Sequence, residues 1–137
     1  LFDVTDVENP KEVAKYVGDD KYAYSSALYE HKAFLFSKDK DLMVIPVYNY
    51  DYQNAENNYN GAFVFKISKD EIKLRGLIDH SKATEYYYWQ PSVERSLYIN
   101  DMLYTKSLSM IRINRLDTLL GVKNVTLTPM TSKIPIY

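Results

Sequence analysis

Nowhere in this chain do apolar residues hold an i, i+3, i+4, i+7 pattern over three turns, so no amphipathic helix is written into it. Short runs of apolar, β-branched and aromatic residues recur instead, bounded by clusters of Asp, Asn, Lys, Ser and Pro. Runs of that kind are half-buried strands joined by tight turns. The chain therefore reads as all-β. Strands are expected over 1–5, 11–17, 27–37, 42–48, 62–68, 71–78, 93–99, 102–107, 111–116 and 122–128. Turns are expected at Asp6–Pro10, Ser37–Asp41, Lys69–Asp70 and Asn100–Asp101, where Asp, Asn and Ser make local backbone bonds. Pro46 lacks a ladder donor and demotes its strand to an edge or bulged position.

Composition narrows the function classes. The 137 residues make one ordinary domain. Seventeen Lys and Arg against eighteen Asp and Glu leave no basic footprint for nucleic acid. The longest apolar run, Leu42–Val47, falls far short of the ~20 residues of a membrane span, so this segment inserts in no membrane. The absence of cysteine removes disulfides, thiolate metal sites and thiol nucleophiles. Four scattered glycines cannot build a phosphate or dinucleotide loop. The chain opens on a strand with neither an initiator Met nor a signal pattern, which reads as a piece of a longer polypeptide.

The order of strands suggests a repeat. Residues 27–78 supply four in succession, 93–128 supply four more, and 1–17 supply two that match the last two of a unit. Aligning Phe34 with Leu97 and Phe65 with Ile111 gives unequal spacings, so the repeat is irregular. Four antiparallel strands per unit is how a propeller blade is written. A plain β-sandwich of about ten strands satisfies the same pattern, and spacing alone does not separate the two.

Particular residues tip that balance. The stretch from Leu1 to Pro10, apolar strand then Asp3-Val4-Thr5-Asp6 and Asn9-Pro10, resembles the LVIVD-type propeller repeat, with Val7 where that pattern carries Pro. Ala27–Ser37 with Leu42–Val47, and Val93–Ile99 with Met102–Thr105, are similar to secreted archaeal and bacterial proteins with a C-terminal β-propeller domain. The resemblance covers most of 1–116. It implies about two and a half blades: a partial one at 1–20, one at 21–80 and one at 90–128, with an extended tail at 129–137. It also implies an exported, cell-surface setting, and it hands over no catalytic residue. Two and a half blades do not close a ring, so self-association through exposed sheet edges is expected.

The aromatic content supplies the leading candidate surface: fourteen Tyr, five Phe and one Trp. Tyr50, Tyr52 and Tyr59 lie in or beside the long 49–60 loop, and Tyr87 and Trp89 lie in the Tyr86–Trp89 run. Tyr and Trp pair an apolar ring with a polar handle, suited to stacking on sugars or anchoring a peptide. The competing reading packs these rings in the core and between blades. Asp51, Asn54 and Glu56 are weak calcium candidates in a loop that misses the calcium-loop template, and no other cofactor is expected. Asp3, Asp6, Glu8 and Asn9 read as turn chemistry. Asn124 heads a glycosylation sequon, Asn124-Val125-Thr126. His31 is expected to be a structural histidine bonded to a loop carbonyl or carboxylate. Asp79-His80-Ser81 names hydrolase residue types, but neighbours on a strand point to opposite faces and cannot form a relay.

The resulting expectation is a non-catalytic binding or structural module that presents aromatic and polar rim loops to a protein or glycan partner. The alternative is a glycosidic or peptidic hydrolase with its site at the propeller channel. A third reading makes the propeller a passive spacer beside an active domain elsewhere.

Overall fold

The computed structural model describes residues 1–81 and 92–127. Eleven strands are present among them, with three single 3-10 turns as the helical content. Strands β1 (Phe2–Asp3) and β2 (Lys11–Glu12) form a small antiparallel pair. The turn between them follows its sequence: Asp6 accepts from the Glu8 N–H and the Asn9 side chain, and the Asn9 N–H closes back on the Asp6 carbonyl.

The second sheet contains β3 (Ala23–Tyr24), β4 (Leu35–Ser37), β5 (Leu42–Asn49), β6 (Tyr59–Ile67) and β7 (Ile72–Asp79). Its ladder runs β5–β6–β7, and β3 and β4 lie end to end along the free side of β5. The third sheet is a meander of β8 (Arg95–Ile99), β9 (Met102–Lys106), β10 (Met110–Arg115) and β11 (Gly121–Thr126). All pairings are antiparallel.

The expected 27–37 strand is corrected. Residues Ser26–Leu28 and His31–Ala33 turn as 3-10 helices, and only Leu35–Ser37 joins the ladder. Local capping explains why. The Ser25 hydroxyl accepts from the Ala27 N–H, and the Glu30 carboxylate accepts from the Lys32 N–H, which pulls this stretch out of extension. Pro46 completes the reason. Its carbonyl points to the gap between β3 and β4 and accepts from the Ser25 hydroxyl at 2.5 Å. Its nitrogen, on the same side, has no hydrogen to give. A proline expected at an edge thus sits inside a well-paired strand, with its silent side turned to the gap.

The two large sheets repeat one another in register. Leu35 faces Val44 as Leu97 faces Tyr104, and Ser37 faces Leu42 as Ile99 faces Met102. Val44 faces Val64 as Tyr104 faces Ile113. The register slips at Val64/Phe65 in one sheet and at the equivalent Ile113/Asn114 in the other. Even the turn bonds match: Ile67 N–H donates to the Asp41 carbonyl, and Leu116 N–H to the Asp101 carbonyl, each at 2.8 Å. Leu97 is therefore the counterpart of Leu35 and not of Phe34, and Phe65 that of Asn114 and not of Ile111. A slip of one residue exchanges the faces of a strand, and local composition does not reveal it.

One core joins the two sheets. Leu42, Val44, Ala62, Val64 and Ile78 of the β3–β7 sheet pack with Val93, Leu103 and Leu116, all at or near full burial. Gly61 carries no side chain for a structural reason, since a Cβ there would lie 2.1 Å from the Ile78 carbonyl oxygen.

Candidate functional site

Among the described residues, two regions hold chemistry-bearing side chains: a polar seam between the sheets and an aromatic end beside β3 and β5. The seam forms where β7 ends. His80 is 1 % exposed, and its Nε2 lies 2.8 Å from the Thr105 hydroxyl. Arg112 donates to the Asp79 carbonyl, and Arg75 donates to the carbonyls of Leu116 and Asp117 at 2.6 Å each. Ser37 and Tyr98 hydroxyls pair at 3.0 Å across the same interface. Ser96, Thr105 and Arg112 stand side by side on β8, β9 and β10 and present a polar row to His80. Burial, and after it the Arg112 charge, push the His80 pKa down to about 4, so the ring is neutral at ordinary pH.

This seam replaces the expected role of His31. His31 sits exposed on a 3-10 turn, and its ring makes no hydrogen bond among the described residues. The structural histidine is His80. Nor do Asp79, His80 and Ser81 form a relay: the Asp79 carboxylate accepts from the Ser81 N–H at 2.7 Å, while the His80 ring points into the seam.

At the aromatic end, Tyr24 and Tyr48 are cross-strand partners with ring centroids 5.4 Å apart, and Tyr29 stands 6.2 Å from Tyr24. Leu28 beside them is 77 % exposed and Tyr29 70 %. Burial raises the Tyr48 phenol pKa. Tyr50 and Tyr52 follow at the same end of β5, edge to face at 4.7 Å, and Tyr52 is 86 % exposed. Tyr59 is placed differently. It is half-buried, stacks near Phe63 at 5.7 Å and donates its hydroxyl to Asp20 at 2.8 Å. Burial and that bond raise its pKa. From there Phe63, Phe65 and Tyr16 continue as a packed aromatic row on the far face of the sheet. Tyr87 and Trp89 lie outside the described residues. Tyr24 and Tyr29 were not singled out in sequence because they are separated by a turn; their one signal is the Tyr22/Tyr24 alternation.

In the candidate calcium loop the Asp51 and Asn54 side chains bond within the loop itself. Asp51 accepts from the N–H groups of Gln53 and Asn54 and from the Asn57 side chain, and Asn54 accepts from the Glu56 N–H. The bond from Gln53 leads the effects that lower the Asp51 pKa. Among the described residues no three His, Cys, Asp or Glu gather to hold a metal ion. The Asp3 and Asp6 carboxyls are likewise engaged in their turn, by Thr5 and by Asn9 with Glu8, and their pKa values are lowered. Asn124 stands exposed on β11, paired with Arg112.

The sheets, their shared register and their face-to-face core meet an independent finding. The family described as beta propeller domain matches residues 1–119. The chain belongs to that family. An uncharacterized protein of Methanocaldococcus jannaschii is 32 % identical over 113 residues, covering 82 % of this chain and 15 % of the relative. The chain thus spans under a sixth of the length of the curated relative it matches. No solved structure matches it. In propeller terms β4–β7 and β8–β11 are successive blades, stacked so that β4 and β5 meet β8. The His80–Thr105 seam joins one blade to the next. No helix among the described residues is long and apolar enough to cross a membrane.

Proposed function

We propose that this chain is a non-catalytic binding module of an exported, cell-surface β-propeller, presenting its aromatic end to a protein or glycan partner. One observation carries the reading. Tyr24, Tyr29, Tyr48, Tyr50 and Tyr52 gather at one end of β5, with Leu28, Tyr29 and Tyr52 largely exposed. Exposed aromatic groups with polar tips are the residues that dominate recognition surfaces. The perturbed histidine, by contrast, is spent on joining blades.

The test is binding of the purified chain to a glycan array and to proteins of the cell envelope, beside Tyr29→Ala and Tyr52→Ala. At these exposed sites the variants keep the wild-type circular dichroism, and retention falls about tenfold, the loss expected of a contact worth ~1.4 kcal/mol. Equal retention by wild type and variants would contradict the reading. Turnover of a glycosidic or peptidic substrate would replace it with the hydrolase alternative.

A further inference from the structure

We propose that the seam between the two blades binds a small spherical anion of the halide class, held by Arg112, His80 and Ser96. Three side-chain groups there lie out of water without a hydrogen-bond partner among the described residues: Nδ1 of His80, Nε of Arg112 and the Ser96 hydroxyl. All three belong to one place. Ser96 and Arg112 flank Thr105 in register on β8 and β10, and Thr105 is the residue whose hydroxyl meets His80 Nε2 at 2.8 Å. The Arg112 guanidinium donates to the Asp79 carbonyl, the peptide group that leads into His80, so it lies against the histidine. Native interiors leave few polar groups unpaired, and three in one seam point to a bound species.

Charge selects an anion over a neutral guest. A guanidinium drawn out of water calls for a counter-charge, and Arg112 makes no ion pair among the described residues. The neighbouring carboxylates are engaged elsewhere: Asp79 accepts from the Ser81 N–H, and Glu94 holds Lys106. The donor inventory agrees. Arg112 Nε only donates, and the Ser96 hydroxyl is free to donate. With the Thr105 hydroxyl donating to Nε2, the neutral His80 ring carries its proton on Nδ1 and becomes a third donor. A water molecule would have to place two hydrogens of its own, whereas a halide only accepts. Thr105 and His80 are both at or near full burial, which suits a monatomic ion better than a bulky oxyanion. The anion bonds groups of both blades, so chloride in the medium stabilises the fold by mass action.

Thermal unfolding with sodium chloride replacing sodium gluconate at constant ionic strength tests this. The wild-type midpoint is expected to rise with chloride concentration. Ser96→Ala, which removes one donor, should need about tenfold more chloride for the same rise, and Arg112→Gln should abolish it. Nitrogen-15 NMR of the His80 ring is expected to show a protonated Nδ1 and a bare Nε2. Crystals grown in sodium bromide should give an anomalous peak beside Arg112 Nε. If Arg112→Gln fails to fold, Ser96→Ala and the bromide crystals carry the test. A midpoint indifferent to chloride, or equally dependent on it in wild type and variants, would overturn the proposal. So would a bare Nδ1, or a seam that holds only water in bromide crystals. A bromide peak without the chloride effect would mean binding at crystal concentration only, and would overturn it as well.

Discussion

The two blades are the same object in two surroundings. Their strands pair in the same register, carry a slip at the same position and close their turns with the same bond. Yet Leu42 and Val44 are fully buried, while Met102 and Tyr104, at matching places, are half-buried, and Leu97 and Ile99 opposite them stand about half in water. Strand geometry is thus set within a blade, and burial is set by the neighbour that covers it. The difference teaches that equivalent strand positions are buried or open according to whether a neighbouring sheet covers them.

Substitution at matched positions breaks the comparison most sharply. Leu42→Ala is expected to cost about 2–5 kcal/mol, because it opens a cavity in the shared core. Met102→Ala, at the half-buried counterpart, is expected to cost less than half as much. Urea unfolding of the two variants beside wild type measures both, and equal losses would contradict the asymmetry.

A pH series probes the seam. His80 is held neutral when folded, with its pKa down at about 4 against about 6.5 unfolded. Its contribution is complete above pH 6.5 and is lost as pH falls through the window to about 4. The total is about 3 kcal/mol. His80→Gln retains a hydrogen-bonding group without titrating, so the wild-type slope should exceed the variant's between those limits. Parallel slopes would remove His80 from the seam's energetics.

Glycine substitutions give a smaller contrast. Gly61→Ala drives a methyl into the Ile78 carbonyl, for an expected loss of about 1–3 kcal/mol. Gly76→Ala meets only the end of the Leu119 side chain at 3.2 Å and should cost less. Thermal midpoints of the pair check the order. Smallest of all is the exposed ion pair of Arg95 with Glu30, whose removal by Glu30→Gln should change stability by no more than about 1 kcal/mol.

Much of this architecture was legible from residue patterns. Apolar and aromatic runs from Phe63 to Ile67 and from Met102 to Tyr104, and turn residues at Lys69-Asp70 and Asn100-Asp101, mark the hairpins in which β6 to β9 lie. The inner strand of the first blade was not legible. Residues 27–37 read as one strand centred on Ala33–Phe36, but Ser25 and Glu30 cap turns that leave only Leu35–Ser37 in the ladder. Repeat register was equally hidden, since Phe65 in one blade is matched by polar Asn114 in the other. The candidate surface was partly visible. Tyr50 and Tyr52 stand exposed, whereas Tyr59 is drawn into packing by Phe63 and Asp20, partners that only the fold brings near. His80 found its role through Thr105, twenty-five residues on, and no local signal announces such a contact.

Native-state hydrogen exchange tests most directly whether the two blades are successive members of one stack with a common core. If they are, the slowest amides of β5 and β6 open with the same free energy as those of β9 and β10, within about 0.5 kcal/mol, because core strands exchange only by global unfolding. Slowest amides in β8–β11 that open several kcal/mol more easily than those of β3–β7 would mean two independent sheets, and would contradict the account.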